Sequence, residues 1–592
     1  MKHTLSHAAG SGIGPSIGLV VVAATLASPA AGQSTIAAQE AQLTAGPHLG
    51  TDDYFGLAVA LEGGLAAAGA YGDNDGSRDL GSAYVFERSA TTWALQAKLA
   101  ASDRASDDYF GRSVGVSGTT ILVGAYGDNH SSLTDAGSAY LFDRCGGAWT
   151  EVAHLFASDA AGGDIFGEHV AVDGDWAVVG ARRHEHAGGF SDAGAAYVFR
   201  RVDGGTPSDP CDDTWLEYAE LDASDASAGD EFGISVDVDG GRIVVGAWYD
   251  DSPAADAGSA YLFELQGGVW VETTRFFAPV PAAGDQFGRA VAIDGDTVVV
   301  TSDLDDHLGL TNAGSAYVFA LDPSFGVWAF QDQLVASDAS AGAGLGDEGV
   351  DVEAGRVALG ARYADLAGAS SGAIYVFERS GTTWSEVVRY AGSDSVAADE
   401  LGFGVALSGD AVLSGTWGHD DTVSNQGAAY VHRLSRGRFA ELGPGDGSCT
   451  PCPCANESRP GMGQGCGNST GFGARLAAWG TDDLSRDDLR FFANNLKPGG
   501  PGLLFAGASA LAGGCGVPFG DGLRVAGGFV VRLGVQAPDP GGNAVWGPGL
   551  AAGRGWSPGY TRVFQVWYRD PLGSPCGSGY NLSNALAVTF AP

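Results

Sequence analysis

The sequence predicts an all-β protein: a seven-bladed β-propeller followed by a small, disulfide-stapled β-sandwich-like domain. Three observations carry this reading. The pattern Gly-x-Ala-Tyr-Val-Phe, or a near variant, occurs seven times, at Gly81–Phe86, Gly137–Phe142, Gly194–Phe199, Gly258–Phe263, Gly314–Phe319, Gly372–Phe377 and Gly427–His432. Its tyrosines, from Tyr84 to Tyr430, stand 56, 57, 64, 56, 58 and 55 residues apart. Between them lie short apolar runs broken by Gly-containing turns, with no helical period. The third observation is a change of composition near residue 443. Of 71 acidic and 31 basic residues, only 9 and 10 fall in 443–592, leaving 62 against 21 in the first 442.

The elements follow in chain order. Residues 1–32 read as an export signal: Lys2 and His3, an apolar run from Ile17 to Ala27, then small Ala30-Ala31-Gly32. The run is shorter than the ~20 residues a membrane span needs. Residues 33–442 form the repeat region. Glu40–Ala45 matches the fourth-strand pattern of Gln96–Ala101 and is predicted to complete the seventh blade. That unit's own fourth strand, Phe439–Leu442, is stunted. Each unit supplies four strands; in the third these are His169–Val172, Trp176–Val179, Ala195–Phe199 and Trp215–Leu221. Asp173-Gly174 between the first two reads as a tight hairpin turn. Four antiparallel strands in a unit of about 55 residues, repeated radially, make a propeller, an arrangement that also hides strand edges.

Upstream of each tyrosine stands Asp-x-Phe-Gly: Asp53–Gly56, Asp108–Gly111, Asp164–Gly167, Asp230–Gly233 and Asp285–Gly288, worn to Leu345-Gly346 and Leu401-Gly402 in units six and seven. A Gly-Ala step separates the landmarks, as at Gly69-Ala70 and Gly180-Ala181. These motifs resemble the FG-GAP repeat, the blade unit of integrin α-subunit propellers and of many secreted bacterial proteins. The resemblance covers about residues 40–442. The calcium loops of integrins do not carry over, because two-residue turns such as Asp173-Gly174 and Asp294-Gly295 replace them, and Tyr71, Tyr126, Arg182 or Trp248 stands where the family has proline.

Residues 443–466 are a Cys-, Gly- and Pro-rich linker, and 467–592 a C-terminal β-sandwich-like module. Cys449, Cys452, Cys454 and Cys466, with Cys515 and Cys576 later, suit zinc or disulfides; export favours disulfides. Val566–Pro571 and Asn581–Ala585 resemble a C-terminal module of large exported bacterial proteins. Cys145 and Cys211 fall in equivalent turns of units two and three and are predicted to pair.

Composition and motifs narrow the function. With a net charge of −40 and only three lysines, the chain lacks the basic surface that nucleic acid requires. Gly-x-Ser-x-Gly occurs at Gly111–Gly115 and Gly368–Gly372, but neither stands between a strand and a helical pattern, so no nucleophile elbow is read; zincin helices and phosphate loops do not occur. His184-Glu185-His186 reads as an exposed polar tip rather than a chelate. The 1–2 and 3–4 turns are short, whereas the 2–3 and 4–1 loops are long and acidic and share one face. The expected ligand face is therefore the one carrying Asp73, Asp75, Asp79, Asp128, Asp135, Asp250, Asp251 and Asp256, with Ca²⁺ at Asp73, Asp75 and Asp79. The expected function is non-enzymatic: a secreted or surface-displayed binding or adhesion protein that engages an extracellular protein or polysaccharide, without a transmembrane segment. The alternative is an extracellular hydrolase or lyase acting on polymers.

Overall fold

The computed structural model describes residues 35–590 except 75–77, 90–91, 187–188, 207–208, 308, 421–422, 437–438, 443–444, 446–449, 459–463, 470–472, 480–483, 485–488, 539–541, 543, 548 and 571–574. The expected signal segment thus lies outside the described residues, as does Asp75. Seven four-stranded antiparallel sheets succeed one another as the blades of a propeller. Blade one comprises Val59–Glu62, Leu65–Ala70, Ser82–Ser89 and Thr92–Leu99, and blades two to six repeat this order from residue 113 to residue 390. Blade seven takes three strands from residues 405–436, and its outer strand is the N-terminal Thr35–Leu43, antiparallel to Ala428–Arg436.

The repeated glycines have a steric cause. Where one blade meets the next, the phenylalanine of Phe-Gly bridges the glycine that opens the preceding blade's third strand, as in Phe110 to Gly81, Phe166 to Gly137 and Phe55 to Gly427. A Cβ on Gly81 would lie 2.0 Å from the Phe110 carbonyl oxygen, and one on Gly69 1.9 Å from that of Gly111. No side chain fits there. The phenylalanine ring turns back into its own blade, so Phe55 packs edge-on against Tyr84 and Phe86 and is fully buried.

A second ring of contacts closes the opposite face. In each first hairpin the turn's N–H is accepted by a side chain of the preceding blade: Gly118 by Glu62, Gly174 by Ser117, Gly240 by Asp173, Gly295 by Asp239, Ala354 by Asp294, Gly409 by Glu353 and Gly63 by Ser408. The turn residues differ from the sequence expectation. Asp173 pairs with Trp176 at the strand end, so the two-residue turn is Gly174-Asp175, with φ +56° at the glycine. The aspartate of Asp-Gly is freed to bind the neighbouring blade.

The 3–4 turns of blades two and three are joined by a Cys145–Cys211 disulfide, Cα atoms 5.7 Å apart. Cys452–Cys466 and Cys454–Cys576 staple the C-terminal part, and Cys515 is oxidised as well. There a five-stranded sheet packs on a three-stranded one, with Phe564, Val566 and Val588 of the first meeting Leu476, Phe491 and Trp546 of the second. One expectation is corrected. Phe439–Leu442 does not extend blade seven; it pairs with Tyr580–Thr589 at the edge of the five-stranded sheet. Blade seven's outer place is already taken by Thr35–Leu43, so the next strand is passed on to the C-terminal domain.

Candidate functional site

The long loops gather on one face, and most of their carboxylates serve the fold. In blades one, two and four the first aspartate of the 2–3 loop turns inward. Asp73 accepts a hydrogen bond from the Tyr84 hydroxyl at 2.9 Å and pairs with Lys98 at 2.7 Å. Asp128 meets Ser138 and Tyr140, and Asp250 meets Tyr261 at 2.8 Å and Arg275. The next polar residue caps the loop: Asn74 accepts the Asp79 N–H, Asn129 that of Asp135, and Asp251 that of Asp256. Asp79, Asp135 and Asp256 all occupy left-handed backbone, φ +48° to +51°, a conformation Asp and Asn tolerate. In the 4–1 loops the aspartate of Asp-x-Phe-Gly accepts a backbone N–H three residues upstream, as Asp164 does from Ala161. Burial pushes Asp53, Asp108 and Asp230 of this series up to about 6.

Among the described residues three groups of side chains converge closely enough to share an ion: Asp103–Asp128–His154, Asp159–His184–Glu220 and Asp203–Asp212–Asp213. Asp128 belongs to the first; Asp73 and Asp79, expected as calcium ligands, belong to none. His184 is not an exposed tip either, being only 6% exposed.

The inner part of this face has a different chemistry, which the sequence reading did not single out. Around the channel mouth stand the second residue of Asp-x-Phe-Gly and the residues following Phe-Gly and Gly-Ala. From blade seven through blade two they include five aromatic residues, Trp417, Tyr54, Tyr71, Tyr109 and Tyr126. Tyr54 stacks on Tyr71 at 5.2 Å and meets Trp417 edge-on at 5.4 Å, Tyr71 leads to Tyr109 at 6.0 Å, and Tyr109 stacks on Tyr126 at 5.0 Å. All five rings are half-buried, one part fixed and one part presented to solvent. Burial pushes the Tyr71 phenol up to about 12, so it stays neutral.

The remaining arc of the mouth is charged. Arg112 reaches across the channel to Glu348 through two hydrogen bonds of 3.0 and 3.1 Å. Glu348 also binds Arg289 at 2.8 Å, Arg289 binds Asp347 at 3.0 Å, and Arg182 joins Glu168 and Glu231. Burial alone would raise the Glu348 carboxyl; Arg112 and Arg289 override it and hold the group well below the usual carboxylate range. The network spans the mouth like a plug. Beneath it lies a cavity of about 250 Å³ lined by the inner strands, including Leu57–Leu61, Val114, Ala171 and Val405.

Asp237 and Asp351 border that cavity while protein surrounds them. Burial pushes them up to about 7 and about 8, against backbone N–H bonds from Ile293 and Leu407. A carboxyl raised on folding lends stability that is full below its unfolded value and is lost as pH rises through its folded value. The thermal midpoint is therefore expected to fall between about pH 4 and pH 8, by roughly 2–4 °C for each kcal/mol of linkage. Melting Asp351→Asn across that range should give a flatter profile. A slope equal to that of the unaltered protein would contradict this assignment.

Comparisons with known proteins agree with the architecture. The FG-GAP repeat matches six segments, residues 38–86, 93–142, 149–199, 215–263, 270–319 and 384–432. The unmatched unit is blade six, where Ala343-Gly344-Leu345-Gly346 stands for Asp-x-Phe-Gly. No curated protein matches the chain. Among solved structures, a candidate 6-phosphogluconolactonase of Bacteroides fragilis aligns at 11% identity over 57% of this chain and 84% of its own, with a TM-score of 0.38. No helix among the described residues is long and apolar enough to cross a membrane. With its repeats matched over half its length and folded as blades, the chain belongs to the FG-GAP repeat family.

Proposed function

We propose that this is a non-enzymatic binding protein acting outside the cell, and that the channel mouth on the loop face holds a neutral polysaccharide. The observation that carries the reading is the aromatic arc of Trp417, Tyr54, Tyr71, Tyr109 and Tyr126. Rings held by one another and half exposed lose little entropy on binding, which is why Tyr and Trp dominate energetic anchors. Their flat faces suit the apolar C–H face of a pyranose ring, and phenolic hydroxyls suit its equatorial oxygens. The front 442 residues carry a net −41 and repel acidic chains, favouring uncharged glycans. Export is supported by the basic–apolar–small pattern of residues 1–32 and by the disulfides.

Incubation of the intact protein with arrays of glycans and extracellular proteins, with calcium or with chelator, tests this. Retention on neutral glycans is expected, lost by at least about tenfold in Tyr54→Ala and Tyr109→Ala, since such anchors contribute about 2 kcal/mol or more. Retention that both variants share with the unaltered protein would refute the site. Shortening of the bound glycan would instead favour the alternative, a hydrolase or lyase.

A further inference from the structure

Every blade builds the same three-residue notch on the outer part of the loop face. One residue comes from the 4–1 loop, one lies three positions beyond the second strand, and one is the fourth-strand residue paired with the buried tyrosine. In most blades the protein fills this notch itself. Blade one places Lys98 on Asp73 at 2.7 Å, blade four places Arg275 between Asp225 and Asp250, and blade six sets Arg389 on Asp338 at 3.0 Å. Blade five uses the Gln333 amide, 2.9 Å from Asp305, and blade seven has Gln42 at the paired position, 3.5 Å from His419.

Blade three departs from this plan. Its fourth-strand position, opposite Tyr197, is Glu220, and the other two places hold Asp159 and His184. Two carboxylates and an imidazole face one another where blades one, four and six supply a Lys or Arg. The imidazole is oriented: its Nδ1 lies 3.3 Å from the Asp164 carboxylate, which leaves Nε2 toward the notch. Nε2 stands 3.8 Å from an Asp159 oxygen and 3.6 Å from a Glu220 oxygen, beyond hydrogen-bond range. No hydrogen-bond partner for Nε2 exists among the described residues, although the side chain is only 6% exposed. The other Asp159 oxygen is anchored by the Tyr197 hydroxyl at 2.8 Å.

These separations have a meaning. Ligands about 2.1 Å from one tetrahedral ion stand about 3.4 Å apart. A carboxylate behind the histidine's far nitrogen is the usual outer support of a metal-bound imidazole. Blade two has a related trio, but His154 spends its Nε2 on Ser138 at 2.9 Å. We infer that Asp159, His184 Nε2 and Glu220 form a divalent-metal site of the zinc class in blade three, with Asp164 as positioning residue and the fourth coordination place open to solvent. An imidazole nitrogen with only two carboxylates suits zinc, whereas calcium takes six to eight oxygens.

Titration of the intact, chelator-stripped protein with Zn²⁺ tests the site, with stoichiometry and affinity read by calorimetry. The unaltered protein should bind one more Zn²⁺ than Glu220→Arg, a variant that installs the cation blade four already carries at this place. Asp164→Asn should retain the ion with affinity weakened about 10- to 100-fold. Asp159→Asn, which keeps the shape of the notch, should lose the same ion as Glu220→Arg. Equal stoichiometry in the unaltered protein, Glu220→Arg and Asp159→Asn would overturn the proposal, as would absence of zinc binding in the unaltered protein. Tighter binding of Ca²⁺ than Zn²⁺ at this place would overturn the assigned metal class.

Discussion

Deleting residues 33–46 is expected to lower the thermal midpoint by at least about 10 °C and to make the protein prone to association. The segment supplies the outer strand of blade seven, Thr35–Leu43, and without it Ala428–Arg436 becomes an open edge of eight or nine unpaired residues. Leu43 and Ala45 pack with Phe55, Tyr84 and Val431 in a core shared between blades seven and one. A buried leucine alone contributes about 2–5 kcal/mol, and each kcal/mol is worth roughly 2–4 °C in domains of 150–250 residues. Glu40 adds a clasp between the same blades, bonded to Arg433 of blade seven and Arg88 of blade one, each at 2.5 Å. Burial would raise its carboxyl, but the two arginines hold it below its ordinary value. Scanning calorimetry gives the answer directly, and an unchanged midpoint would show that the ring does not close through its N-terminus.

Substituting Glu348 should be nearly as damaging. Glu348→Gln leaves Arg112 and Arg289 facing one another in the channel mouth with Glu168 and Asp347 as their remaining partners, at 3.6 and 3.0 Å. Removing one partner from a buried ion network costs about 3–5 kcal/mol, because the charge left behind stays out of water. The midpoint should drop by roughly 10 °C on the same scale. The pH response should change as well. A carboxyl held below its ordinary value lends stability that is present above about 4.5 and is lost as pH falls through the folded value. The unaltered protein should therefore show a steeper acid limb than Glu348→Gln, which keeps only the share of Glu40, Asp128 and Glu168. A variant that melts like the unaltered protein, with the same acid limb, would mean the network is a passive surface ion cluster.

How much of this was legible depended on how local each cause is. Phe-Gly, Gly-Ala and the glycine before Ala-Tyr recur because backbone meets backbone at every seam, so the propeller could be read from spacing alone. The N-terminal strand could be read because Glu40–Ala45 keeps the pattern of Gln96–Ala101. Phe439–Leu442 misled because its residues specify a strand without specifying which sheet edge receives it. The acidic loops announced a face but not their employment. Asp73 is taken by Tyr84 and Lys98, 11 and 25 residues away, through a strand register that only the folded blade sets. The aromatic arc was hidden for another reason: its members are single residues in positions that the repeat leaves variable, and Tyr71 and Tyr126 registered only as missing prolines. His184 looked exposed because a His-x-His pair in a loop gives no sign of the Asp159 and Glu220 that fold around it.

Ligand is expected to meet the aromatic arc at the loop-face mouth, and hydrogen–deuterium exchange of the intact protein, with and without the glycan it retains on the array, reports where it sits. Protection is predicted in residues 52–57, 71–74, 107–112, 126–129 and 415–419, with none in the first-hairpin turns near Gly63, Gly118 and Gly174. Protection confined to those turns or to residues 467–592, with the five aromatic segments exchanging unchanged, would show that ligand binds elsewhere.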